Sequence, residues 1–165
     1  MRYAQIRKCD VANGKGIRTS LFVQGCTFQC KGCFNTDTWD FEGGRLWDES
    51  IEKQFVELTG KPHIAGATIL GGEPLHPANC ECVTRLAKRL KSEYPEKSIW
   101  VYSGYCFEEL AERESEIFEY IDVLVDGRFE QDKKDLSLRF RGSSNQRVID
   151  IKKTLEEGRI TLYME

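Results

Sequence analysis

Histidine is almost missing from this chain: among 165 residues only His63 and His76 occur, each beside a proline. A histidine-built metal centre or a nucleophile–histidine dyad therefore has little to draw on. Proline is scarce as well, with four residues, and there is no internal repeat, low-complexity tract or Ser/Pro linker to divide the chain. Single cores typically run to roughly 100–200 residues, so residues 1–165 are expected to form one domain. No apolar stretch approaches the ~20 residues of a membrane span. The opening "MRYAQIRKCDVANGKG" lacks the apolar core of a secretory signal. Together these point to a cytoplasmic protein with no membrane partner. An excess of one charge is missing too. The 24 basic and 27 acidic residues are interspersed and leave a net charge of −3, which excludes a nucleic-acid binder held by phosphate contacts.

Cysteine is what the chain does have. There are seven, an odd number that cannot all pair, and in a reducing compartment they argue for metal or redox chemistry over a disulfide framework. Three of them lie within eight positions in "GCTFQCKGCFN", as Cys26-x3-Cys30-x2-Cys33. Closely spaced cysteine pairs are a zinc signature, but a structural zinc wants four protein ligands. The remaining candidates serve poorly: Cys80 and Cys82, one residue apart on a predicted helix, diverge by about 200°, and Cys9 and Cys106 are isolated. A four-iron cluster usually takes four thiolates. With three, one iron keeps an open position, as catalytic zinc sites do, and a substrate bound to the metal is expected. Gly25 and Gly32 would relieve crowding where the loop wraps the inorganic core.

The apolar pattern places these residues. "TSLFVQ" (19–24) reads as a strand running straight into the cysteine loop. Asp48 is positioned to cap a helix with Ile51, Phe55 and Leu58 on its apolar face, ended by Gly60 and Pro62. A strand over 67–70 stops at "GGEP", and a helix over 77–92 follows with Val83, Leu86, Ala87 and Leu90 at helical spacing. Next come a strand over 99–102, a helix over 107–120, in which Cys106 stands where a Ser or Thr cap is usual ahead of Glu109, a strand ending at Asp126 and Gly127, and a last helix over 148–157. Strand–helix alternation predicts an α/β fold with a parallel sheet of about five strands. In such sheets ligands gather at the carboxyl ends of the strands, where "GCTFQCKGC", "GGEP", "SGY" and "DGRF" fall.

The cysteine loop after one strand and "GGEP" after the next resemble the radical S-adenosylmethionine superfamily. "GKGIRTSLFVQGCTFQCKGCFNTDTW", "LGGEP", "YSGYCFEEL", "DVLVDGRF" and "LRFRGSSNQRVID" are together similar to the small activating enzymes of anaerobic ribonucleoside-triphosphate reductases, over residues 14–150. "RGSSNQR" is the most discriminating block. The resemblance implies a small partial (β/α) barrel with a [4Fe-4S] cluster held by Cys26, Cys30 and Cys33. It implies S-adenosylmethionine on the open iron, with Gly71, Gly72 and Glu73 receiving the amino group. Further ligand contacts are implied at Gly32, Cys33, Phe34, Ser103, Asp126 and Arg128. The implied activity is one-electron cleavage of S-adenosylmethionine to a 5′-deoxyadenosyl radical, which takes a hydrogen atom from a glycine of the reductase large subunit. The implied electron donor is reduced flavodoxin or a similar protein.

The chain departs from the pattern in places. Gly32 stands where many superfamily members carry an aromatic residue, which leaves Phe34 as its substitute. Phe28 replaces an expected histidine, so no side-chain base is carried over, and no catalytic side chain is expected. An activase of another glycyl-radical enzyme, such as pyruvate formate-lyase, is the enzymatic alternative. An iron–sulfur electron carrier or structural metal module is the non-enzymatic one.

Overall fold

The computed structural model describes residues 1–164. Seven strands share one sheet: β1 (Arg2–Asp10), β2 (Arg18–Val23), β3 (Arg45–Leu46), β4 (Gly66–Gly71), β5 (Ser98–Tyr102), β6 (Val123–Asp126) and β7 (Arg147–Asp150). Their spatial order is β3-β1-β2-β4-β5-β6-β7. The four central strands, β2, β4, β5 and β6, are parallel. The purely parallel sheet expected from the alternation is corrected at its edges, where β1 runs antiparallel to β2, β3 to β1, and β7 to β6. Antiparallel neighbours need no crossover helix, which is why a link without an α-helix suffices between β6 and β7.

Four helices accompany the sheet: α1 (Glu49–Thr59), α2 (Pro77–Glu93), α3 (Phe107–Glu112) and α4 (Ile151–Glu157). Asp48 caps α1 as expected, its Oδ1 accepting from the Ile51 amide at 2.9 Å. The buried face of α1 is nevertheless Glu52, Phe55, Val56 and Thr59, rotated from the Ile51–Phe55–Leu58 stripe. Glu52 tolerates burial because Trp47 Nε1 donates to it at 3.2 Å and Arg89 at 2.9 Å. On α2, Val83, Leu86, Ala87 and Leu90 are buried as the spacing predicts. His76 caps that helix through Nδ1.

Two predicted helices are shortened. The one over 107–120 breaks after Glu112, where Glu114 takes a left-handed φ of 50°. A 3-10 turn, Glu116–Glu119, then buries Ile117 and Phe118. The one over 148–157 begins as strand β7, because Val148 and Ile149 complete the sheet against β6. Asp150 then caps α4 through the Lys153 amide.

Strand alternation sorts the apolar residues onto two faces. Leu21, Val23, Ile69, Val101, Leu124 and Ile149 join residues of all four helices in the main core. Trp100, Val123, Val125 and Val148 face the other way and meet Phe140 and Met164 from non-helical chain. The helices thus take one face of the sheet and leave the other to loops and a cavity.

Candidate functional site

A cavity of about 480 Å³ opens on the helix-free face, at the carboxyl ends of the parallel strands. Each of those strands delivers its glycine-rich exit there. After β2 come Cys26, Phe28, Cys30, Cys33 and Phe34; after β4, Gly72 and Glu73; after β5, Ser103 and Gly104; after β6, Gly127 and Arg128. Of the residues picked out from the sequence, Cys26, Cys30, Cys33, Phe34, Gly71, Gly72, Glu73, Ser103 and Arg128 line this one space. Two do not. Gly32 lies with its α-carbon against Gln131. Asp126 is buried beneath the wall, accepting from the Phe107 amide at 2.8 Å and from Arg147.

The cysteine loop is tied to the glycine-rich turn through its backbone. Gly25 donates to Thr38 O at 2.7 Å, and the Glu73 amide donates to Gly25 O at 2.7 Å. Gly72 fits between them only because it has no side chain: a β-carbon there would stand 2.6 Å from Gly25 O and 2.9 Å from Thr38 O. Burial pushes the thiols of Cys26 and Cys30 up, with the charge of Glu73 adding at Cys26 and that of Cys33 at Cys30. A bound metal is what brings such thiols to their thiolate form.

Three thiols on one loop can serve a single ion or a cluster. A tetrahedral zinc with Zn–S of 2.3 Å holds its sulfurs about 3.8 Å apart. Among the described residues, the single group of three or more potential ligands with donor atoms within 4.8 Å of one another is Cys106, Glu108 and Asp126. Cys26, Cys30 and Cys33 do not form such a group. A cluster differs from a single ion in that each thiolate takes its own iron. The Cys106 group holds no cation of its own, because Arg147 already bridges Glu108 and Asp126.

Glu73 is the second chemical feature. Its carboxylate is 2 % exposed and accepts from Gly104 N (2.6 Å), Ser103 Oγ (2.8 Å) and Leu75 N (2.9 Å). Burial pushes its pKa up to about 7, against these three bonds and the charge of Arg113, which hold it down. Among the described residues this buried carboxylate has no ion-pair partner, a state that a cation would relieve. On the cavity wall the Arg128 guanidinium lies 4.2 Å from the Phe28 ring centroid, and Tyr105 meets that ring at 4.8 Å.

Sequence reasoning did not pick out Trp39, Tyr102, Gly104, Arg7 or Asn13, all of which line the cavity. Tyr102 was within reach, since alternation along "SIWVY" sets it on the face opposite Val101. Arg7 comes from β1, whose polar composition carries no strand signal.

Comparison with known proteins gives the family. The family model described as a 4Fe-4S single cluster domain matches residues 12–149. The chain is 45 % identical over 148 residues to the anaerobic ribonucleoside-triphosphate reductase-activating protein of Haemophilus influenzae, covering 88 % of this chain and 96 % of that one. It is 42 % identical over 150 residues to the protein of that name from Escherichia coli K12, covering 90 % and 97 %. For its namesake in Enterobacteria phage T4 the identity is 40 % over 148 residues, covering 90 % and 93 %. No helix among the described residues is long and apolar enough to cross a membrane.

Proposed function

The chain belongs to the family of anaerobic ribonucleoside-triphosphate reductase-activating proteins, and from that premise we propose that it is a radical S-adenosylmethionine activase. It acts in the cytoplasm on the large subunit of such a reductase and receives its electron from reduced flavodoxin or a similar donor. Residues 1–165 act as one domain, and the four parallel strands with their helices form part of a (β/α) barrel. Cys26, Cys30 and Cys33 hold a [4Fe-4S] cluster. When bound, that cluster supplies the electron that splits S-adenosylmethionine to methionine and the 5′-deoxyadenosyl radical that makes the glycyl radical.

The chain's own residues bind, orient and exclude water. Glu73 receives the ligand's amino group, with Gly71 and Gly72 letting the backbone come close. Arg128 faces its carboxylate. Phe34, Ser103 and the backbone at Cys33 contribute to the adenosyl side, while Gly32 shapes the loop and Asp126 acts from beneath the wall. No side chain is required as a general base. The observation that carries this reading is the meeting of the three-thiol loop and the buried Glu73 on one cavity.

The test is anaerobic. Reconstituted protein should hold about four irons, the content of a [4Fe-4S] centre. Dithionite should drive it to form 5′-deoxyadenosine, and with the reductase it should yield a glycyl radical seen by electron paramagnetic resonance. Pyruvate formate-lyase offered instead should yield none. Colourless, iron-free protein, or reduced protein that leaves S-adenosylmethionine intact, would sink the proposal.

A further inference from the structure

Three consecutive residues at the exit of β6 are each gripped by a side chain from the entry to β7. The backbone ladder between these strands pairs Val125 with Val148 and Asp126 with Arg147, and there it ends. Its register runs on in side chains. Arg147 bonds both carboxylate oxygens of Asp126, at 3.0 and 2.5 Å. Gln146 Nε2 donates to Gly127 O at 3.0 Å, and Asn145 Nδ2 donates to Arg128 O at 2.8 Å. Residue 126 is thus matched by 147, 127 by 146 and 128 by 145, in unbroken antiparallel order.

The grip is itself locked. Gln146 Oε1 accepts from the amides of Gly142 (2.9 Å) and Ser143 (3.1 Å), so both ends of its amide are committed. Arg141 Nη1 donates to Gln146 O. Within "RGSSNQR", Asn145 and Gln146 hold the backbone of residues 128 and 127, while Arg147 holds the carboxylates of Asp126 and Glu108. Such a hold is needed because Gly127 has φ +97°, a conformation outside strand geometry that a glycine samples freely. Directly beyond this pliable glycine sits Arg128. Its guanidinium lies over Phe28 at the cavity wall, with no hydrogen-bonded or ionic side-chain partner among the described residues. A guanidinium so presented suits a carboxylate.

We propose that Asn145, Gln146 and Arg147 are positioning residues, a side-chain continuation of the β6–β7 ladder that aims Arg128 at the carboxylate of the bound ligand. This rests on the reading that the cavity takes S-adenosylmethionine. Asn145 and Gln146 act through Arg128 and touch no reacting atom.

The test is a double-mutant cycle on cluster-loaded protein, with S-adenosylmethionine affinity read by anaerobic calorimetry. Asn145→Ala should weaken binding about tenfold, the usual scale for a residue that orients a ligand-holding group. Iron content and the cleavage rate at saturating ligand should stay within about twofold of wild type, a split that general loosening of the fold would not give. In an Arg128→Met background the same substitution should cost no further affinity. A tenfold loss that persists without the Arg128 guanidinium, or unchanged affinity of the single variant, overturns the proposal. Should Asn145→Ala fail to hold iron, Gln146→Ala carries the same cycle through the Gly127 bond. Iron-loaded wild type that binds no S-adenosylmethionine overturns the reading of the cavity and this inference with it. Wild type that binds, together with additive losses, overturns the ladder alone.

Discussion

Glu73 should make ligand affinity depend on pH in a direction fixed by its burial. Its carboxyl group, with a pKa of about 7 and three neutral donors around it, is about 9 % ionised at pH 6 and about half ionised at pH 7. A free α-amino group, with its pKa of about 7.7–8.0, remains mostly ammonium across this interval. If the ammonium pairs with ionised Glu73, S-adenosylmethionine should bind about fivefold tighter at pH 7 than at pH 6, with most of one proton released at pH 6. Calorimetry in two buffers of different ionisation enthalpy measures both quantities. Glu73→Gln should bind more weakly and lose the slope. The ligand-free fold supplies a companion measurement. Because the folded pKa lies above the ordinary carboxylate value of 4.5, the folded state holds this proton more tightly than the unfolded chain. Glu73's contribution to stability is therefore complete below pH 4.5 and is lost as pH rises through 7, by up to about 3 kcal/mol. Urea unfolding of the Gln variant should lack that decline. Affinity that ignores pH, or a slope that survives in Glu73→Gln, refutes the reasoning.

Arg18, fully buried, spends its five N–H groups on Thr68 Oγ1, Lys15 O, Ser98 Oγ, Ala67 O and Ser98 O. Burial depresses its pKa to about 10; after crediting that desolvation, Arg18→Met should cost about 3 kcal/mol in urea unfolding, and a loss below about 1 kcal/mol would speak against the network. Gly72→Ala drives a methyl group against Gly25 O and Thr38 O, so it should cost about 1–3 kcal/mol and lower iron retention, while unchanged iron content would show that the two loops are not braced there. Under the proposed function, Cys30→Ala would remove a cluster ligand from the wall of a cavity that a protein substrate also approaches. It should abolish glycyl-radical formation yet still co-elute with the reductase, and loss of the complex would place Cys30 in docking instead.

Legibility in the sequence tracked the range of the interactions. The cysteine loop and "GGEP" were readable because each ends an apolar run at a strand exit, and periodicity alone locates such exits. Asp48 and the α2 core positions were readable for the same local reason. β1 was not, since "RYAQIRKCD" has no continuous apolar run and buries only Tyr3 and Asp10, and it is held by pairing with β2 and, at Arg2 and Tyr3, with β3. Glu52 and Arg18 are charges buried by partners 37 and up to 80 residues away, and no window on the sequence contains both sides of such a bond. "RGSSNQR" was recognisable as a block but not as a device, because its counterpart is the backbone of residues 127 and 128. Asp126 shows the converse: a motif match put it beside a ligand, and its own strand partner, Arg147, takes its carboxylate below the wall.

The placement of the helices bears on what can enter the cavity. With α1 to α4 all committed to one face of the sheet, the other face is enclosed by chain without α-helix. Arg7, Ala12 and Asn13 arrive from the β1 edge, and Leu138, Phe140 and Arg141 from the link between β6 and β7. The two edges that depart from parallel order are therefore the ones that frame the opening. A complete barrel would close this side with further strand–helix units and admit only what fits between its loops. An open sheet with antiparallel edges has no such units on this side, and the thiol loop lines the cavity there. Under the proposed function, a sheet left open on this side would let the backbone of a target protein approach the cavity, where a complete barrel would exclude it.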